Sequence, residues 1–240
     1  GLYGSTFLIP LYTQSILGWT ALQSGALMIP AALTTAFMMP IIGRLLQKGI
    51  PQQYLVALGM LIFFVYRFWG YKIITPDTGK DAFFCMLITR GAGLGLLFIP
   101  ITTLSLSTLK GIEIGQGAAF TGMMRQLGGS FGVAAITTYI SRQSMVHRND
   151  LVSKLDTNSL AVQERVSQMQ HFFMAKGKSA NDALKAAYQA LDLNVTKQAT
   201  VLSYMDVFLY LGLMFLICVP IVLLVKGNRK KKVDLAEAMH

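Results

Sequence analysis

The sequence predicts an all-α membrane protein, and three observations carry that prediction. Hydrophobic residues make up 53% of the 240 and charged ones only 13%, where a soluble chain carries about a quarter charged. The apolar residues fall in runs long enough to cross a bilayer core of roughly 30 Å at 1.5 Å per helical residue. Five of the seven prolines, Pro10, Pro30, Pro40, Pro100 and Pro220, lie inside those runs. Buried helices tolerate them where neighbouring helices satisfy the freed backbone groups.

Six spans are expected in order. The first covers residues 2–17, with Gly18 and Trp19 as an interfacial anchor. The second covers 21–46 and is interrupted by Pro30 and Pro40; a polar connection through Lys48 and Pro51 leads to the third, 54–74. A turn cluster at 75–81 precedes the glycine-rich fourth span, 82–109, and the fifth covers 118–140. Some sixty polar residues then separate it from the last span, 205–225. Loops of that length usually carry structure of their own. Here Ser179 with Asp182 fits a capping box, and Leu184, Tyr188, Leu191 and Val195 follow at helical spacing. The stretch therefore reads either as an amphipathic hairpin on the membrane or bundle, or as a docking surface. The expected layout is five spans in 1–141, a helical extracytoplasmic loop in 142–203, a last span in 204–226 and a basic cytoplasmic tail in 227–240.

The net charge of +10 does not point to nucleic acid. The basic residues sit at span ends, in the long loop and in the tail, as the positive-inside rule and anionic headgroups require. That tail makes the C-terminus cytoplasmic and the long loop external, in a multi-pass protein of the cell (inner) membrane. Cys85 and Cys218 both lie in apolar runs and suggest neither a disulfide nor a metal site. The chain starts at Gly1 with the apolar run already under way, so it reads as cut from something longer, with an N-terminal half missing.

Charges inside spans are costly and usually face a cavity or a partner. Arg90 lies about 12 Å into its span at helical rise, and Arg125 lies toward the cytoplasmic side of the fifth. Both are candidates for a cavity or gating role. Arg67 sits near the outer end of its span, where it can snorkel. Gly91 with Gly95, and Gly128 with Gly132, clear helix stripes for close packing. No Asp or Glu occupies the middle of a span, and Asp206 comes nearest. Proton coupling needs a titratable group in the membrane, so a coupling residue would lie in the missing part. The three histidines fall in loop or tail, with no carboxylate pair or metal-ligand spacing at membrane depth. The chain is not expected to be an enzyme, and no cofactor or metal is expected.

Four segments carry a resemblance. Phe7 to Gln14 with Gly18 to Gly25, Arg90 to Pro100, Met124 to Gly132, and Gln198 to Phe208 resemble, in order, segments of the EmrB/QacA-type drug:proton antiporters of the major facilitator superfamily. The resemblance covers almost the whole chain and implies a fourteen-helix exporter whose last six helices are the C-terminal bundle seen here. It implies alternating access around a cavity between two bundles. Small amphipathic substrates, often cationic, are implied too, with a periplasmic adaptor and an outer-membrane channel as partners beside the lipid bilayer. By the same resemblance Arg90, Arg125 and Asp206 match motif residues, and Pro10, Tyr12 and Gln14 match a cavity-facing pattern. Gly43, Arg44 and Lys48 resemble the cytoplasmic loop motif that braces the bundle. Export of a lipid, siderophore or metabolite, and a non-transporting membrane scaffold, remain as alternatives.

Overall fold

The chain is described from a computed structural model covering residues 2–75, 80–106, 109, 111–155 and 159–224. The basic tail expected at 227–240 lies outside these residues. Helices α1 (Leu2–Ser15), α2 (Ala21–Leu27), α3 (Ile29–Gln47), α4 (Gln52–Ile73), α5 (Lys80–Leu106), α6 (Ile112–Lys154), α7 (Leu160–Ala175) and α8 (Ala180–Leu224) account for nearly all of the described residues, and no strand occurs among them. The expected all-α membrane architecture is what the chain adopts.

Local chemistry sets the ends of these elements. Gly18 takes φ +69°, a left-handed turn that glycine adopts without strain. Thr20 and Gln23 then form a capping box, each side chain accepting the other's backbone N–H at 3.3 and 3.0 Å. Met28 is at once the C-cap of α2 and the N-cap of α3. Pro30 stands in the first turn of α3, where a missing N–H costs nothing. One apolar span is thus interrupted at Met28, just ahead of the proline. Gly49, at φ +81°, turns the chain out of α3 toward α4.

Four segments are long and apolar enough to cross a membrane: Ala21–Gln47, Gln52–Ile73, Phe83–Leu106 and Ala180–Leu224. They correspond to the second, third, fourth and last spans expected from sequence. The first expected span falls on α1, whose 14 residues extend about 21 Å. The fifth lies within α6.

Two helices run well past the bilayer. The 43 residues of α6 and the 45 of α8 extend about 65 and 68 Å, more than twice the hydrocarbon core. No Gly or Pro interrupts 133–154 or 180–211, so nothing in the sequence stops either helix at the membrane surface. The boundary expected near 203–204 accordingly falls inside α8 rather than at a break. The polar region is helical, built from the end of α6, from α7 and from the start of α8. At the start of α8 the Ser179 hydroxyl accepts the Asp182 N–H at 3.2 Å and donates to the Asp182 carboxylate at 2.7 Å. Ser179→Ala is expected to remove about 1 kcal/mol from this helix start. Hydrogen exchange at the amides of 181–183 measures it, and unchanged protection would contradict the cap.

The bundle core is aromatic. α4 lies against α5 and α8, α3 against α5, and α6 and α7 each against α8. Phe63 meets Phe215 at 5.0 Å between ring centroids, Tyr66 meets Phe208 at 6.2 Å, and Tyr12 meets Tyr204 edge-on at 5.3 Å. Large apolar side chains such as Phe37 and Phe131 remain exposed on the outside, the distribution that lipid-facing helices permit.

Candidate functional site

Arg90 is the residue around which the site is built. It lies on α5 and is only 5% exposed. Its Nη2 donates to Thr6 Oγ1 on α1 at 2.6 Å, while its buried Nε has no hydrogen-bond partner. Thr6 itself is exposed. The guanidinium therefore reaches between two helices toward the open face of α1, and what meets it there is a neutral hydroxyl.

Arg125 repeats the arrangement on α6. Its Nη2 approaches Thr102 Oγ1 at 3.4 Å, and its guanidinium stands 4.6 Å over the Phe98 ring. Both partners belong to α5, so this helix carries one arginine of its own and receives a second from α6. A cation over an aromatic face is held partly by the ring's quadrupole.

Arg67 departs from the sequence expectation. Rather than snorkelling, it is completely buried. Its guanidinium lies 5.2 Å from the Tyr66 ring centre and 5.0 Å from that of Phe208, and Gly212 on α8 clears the space beside its Cβ. The position along α4 suggested an exit to the interface. The close approach of α8 removes that exit, and only tertiary contact could reveal it.

Tyr12 also differs from the cavity-facing expectation. It is fully buried against Tyr204 and Phe83, and its hydroxyl donates to the Thr75 carbonyl at 2.6 Å. Two residues on, Gln14 is exposed, and Pro10 is half-buried inside α1. The helical period explains the split, since α1 turns Tyr12 inward and Gln14 outward. Beside α1, a cavity of about 390 Å³ opens against α6, lined by Tyr3, Gln126, Gly129, Ser130, Val133 and Ala134.

The glycine stripes behave differently from one another. A Cβ on Gly91 would stand 2.4 Å from the Ala31 carbonyl oxygen, and one on Gly95 would stand 2.9 Å from the Met38 Cβ. Thr35 Oγ1 donates across the same contact to the Gly91 carbonyl at 3.0 Å, so α3 and α5 touch along this stripe. Gly128 and Gly132 face open space, and the glycine of this segment that packs is Gly129, against the Tyr3 ring. Spacing alone marks both pairs equally. Only the position of a second helix separates them.

Asp206 accepts from His147 of α6 at 2.7 Å, with both side chains partly exposed. Arg148–Asp192 and Ser144–Thr200 join the same two helices. The His147 partnership was invisible in sequence because 59 residues separate the pair. At the other end of the bundle, Arg44 and Lys48 are exposed and Gly43 has open space around it. The Lys48 amide closes α3 by donating to the Arg44 carbonyl at 3.0 Å.

Comparison with known proteins agrees with this architecture. Residues 1–133 match the family model described as Major Facilitator Superfamily. The chain is 30% identical over 98% of its length to an uncharacterized MFS-type transporter, YhcA, of Bacillus subtilis strain 168, covering 45% of that protein. It is 25% identical over 93% of its length to the fatty acid resistance protein FarB of Neisseria gonorrhoeae, covering 42%. With the multidrug export protein EmrB of Haemophilus influenzae it shares 26% over 89%, covering 41%. The chain thus spans less than half the length of these curated relatives. On these findings the chain belongs to the Major Facilitator Superfamily, as a multi-pass membrane chain similar to the EmrB-type export proteins.

Proposed function

We propose that this chain forms the C-terminal bundle of a proton-driven exporter of small amphipathic compounds, working by alternating access against an N-terminal bundle. The observation that carries the reading is Arg90, a nearly buried cation that spans from α5 to the exposed Thr6 of α1. A charge held at that depth is costly unless a cavity or a partner uses it. Arg125, held by α6 against Thr102 and Phe98 of α5, supports the reading, and the exposed Gln14 adds a polar group on the α1 wall.

In this reading the C-terminus is cytoplasmic, in the inner membrane. The projecting ends of α6 and α8, together with α7, then lie outside, where an adaptor and an outer-membrane channel would be met. Arg44 and Lys48 brace the cytoplasmic end. The exposed Gly128 and half-buried Gly132 of α6, each with open space at its Cβ position, supply a smooth face for the other bundle, since small residues allow helices to approach closely.

Dye efflux by the full-length protein tests this directly. Efflux is expected to stop when an uncoupler collapses the proton gradient. It is also expected to fall to background in Arg90→Ala and Arg125→Ala at unchanged expression. Full activity in either variant removes that residue from the site, and efflux indifferent to the uncoupler removes proton coupling. Export of a lipid-like metabolite is the second reading, favoured by the similarity to a protein named for fatty acid resistance.

A further inference from the structure

We propose that the polar segment between the last two spans is a stiff arm rooted in the bundle core, so that its tip moves with the bundle and carries the bundle's state out of the membrane. The stiffness stands on contacts within this chain; the motion rests on the alternating-access reading.

At its root the arm is gripped from two sides. Tyr204, Val207, Phe208 and Phe215 of α8 are buried. Tyr204 meets Tyr12 of α1, Phe208 meets Tyr66 of α4, and Phe215 meets Phe63 of α4. The Arg67 guanidinium of α4 adds its contact with the Phe208 ring. Ring contacts at successive levels along α8 fix the direction in which the helix leaves the core, because no single one can serve as a swivel.

Outward from this root nothing in α8 yields. Sharp kinks arise at Pro, at Gly or at a π-bulge. Residues 180–211 contain neither Gly nor Pro, and the helix is α throughout. From Asp206, at the outer entry of the last span, to Ala180 it extends about 39 Å. Two other helices brace it. On α6 the Tyr139 ring meets Tyr210 edge-on at 5.7 Å, and His147 bonds Asp206 at 2.7 Å. Ser144 bonds Thr200 at 3.1 Å, and Arg148 pairs with Asp192. Between Asp192 and Tyr210 these contacts cover about 27 Å of α8 and bracket the membrane boundary. A hinge would sit where contacts are fewest, and here that boundary is cross-linked. Further out α7 lies along α8. Val166 is buried with Ala183, Ala186 and Ala187, and Gln170 Nε2 donates to the Ala180 carbonyl at 3.2 Å.

A rocking of the bundle by about 10° therefore moves the tip through roughly 7 Å. The surface so displaced is aromatic and cationic, with Lys176 over the Phe172 ring at 4.4 Å and Lys178 over the Phe173 ring at 5.3 Å.

The test uses the full-length protein in nanodiscs, with Cys85, Cys218 and any other cysteine replaced by serine. Spin labels on Lys178→Cys at the tip and Phe37→Cys on α3 report the arm's position on its own bundle by pulsed EPR. One narrow distance is expected, the same with and without ethidium. Replacing Thr196, Lys197 and Gln198 by glycine, together with Arg148→Ala, is expected to broaden it at least about twofold. A broad or multiple distance in the parent overturns the proposal. A glycine variant as narrow as the parent overturns it too, since the unbroken helix is then not what holds the tip. Two further pairs join Lys178→Cys to an outer loop of the N-terminal half, and Gly128→Cys to that half at membrane depth. Ethidium is expected to shift both, the first by about 5 Å or more. A shift in one pair without the other overturns the proposal. No shift in either counts against alternating access, and the distance from Lys178 to Phe37 still decides whether the arm is stiff.

Discussion

Gly91→Val is expected to abolish assembly of the bundle. The first atom of any side chain at this position would stand 2.4 Å from the Ala31 carbonyl oxygen and 2.8 Å from the Thr34 Cβ. Backbone cannot move aside as a flexible side chain can, so α3 must shift away from α5 as a unit. Overpacking of a well-packed interior costs about 1–3 kcal/mol where side chains can adjust, and more where they cannot. Separation of the helices also breaks the bond from Thr35 Oγ1 to the Gly91 carbonyl. Membrane-inserted yield and thermal unfolding in detergent both measure the effect. Wild-type yield and melting temperature in Gly91→Val would show that α3 and α5 do not meet here. Gly128→Ala is the informative companion. Nothing in the described structure lies within 4 Å of its added carbon, so any loss it causes in the full-length protein reports packing against the rest of the polypeptide.

Arg67→Ala is expected to destabilise the bundle by about 2–4 kcal/mol, the range for deleting a large buried side chain. The side chain is fully buried, and its guanidinium bridges the Tyr66 and Phe208 rings at 5.2 and 5.0 Å. Truncation leaves a void between α4 and α8 and removes both cation–ring contacts. Arg67→Lys is expected to recover part of the packing only, because a compact ammonium lacks the flat face that lies against two rings. Thermal unfolding of the three proteins under one detergent condition decides the matter. An alanine variant as stable as the parent would mean that α8 does not close over Arg67. The prediction separates Arg67 from Arg90. The first holds helices together by packing, and the second is proposed to serve transport.

Much of the fold was legible in the chain itself. Apolar runs, interrupting prolines and scarce charge set the class, because a bilayer core demands apolar side chains and internally satisfied backbone. The interruption at Met28, the turn at Gly49 and the cap at Ser179 were each local, written in residues within one helical turn. The continuity of α8 from Ala180 to Leu224 was less plain. A change from polar to apolar composition reads as a boundary, but a helix ends only where its backbone is broken, and no Gly or Pro falls in 180–211.

The site was legible in its residue types and obscure in its geometry. Sequence alone determined that the bundle carries arginines without mid-span carboxylates, and that glycine stripes cross it. Only tertiary structure decided which arginine is enclosed, which glycines bear a neighbouring helix, and that Tyr12 turns inward while Gln14 stays outside. The physical reason is range. Hydropathy, helix period and capping act within a few residues, so they survive in the one-dimensional pattern. Burial of Arg67 depends on α8, some 140 residues away along the chain, and the bond from Arg90 depends on α1, 84 residues away. Contacts of that kind exist only once the helices have packed.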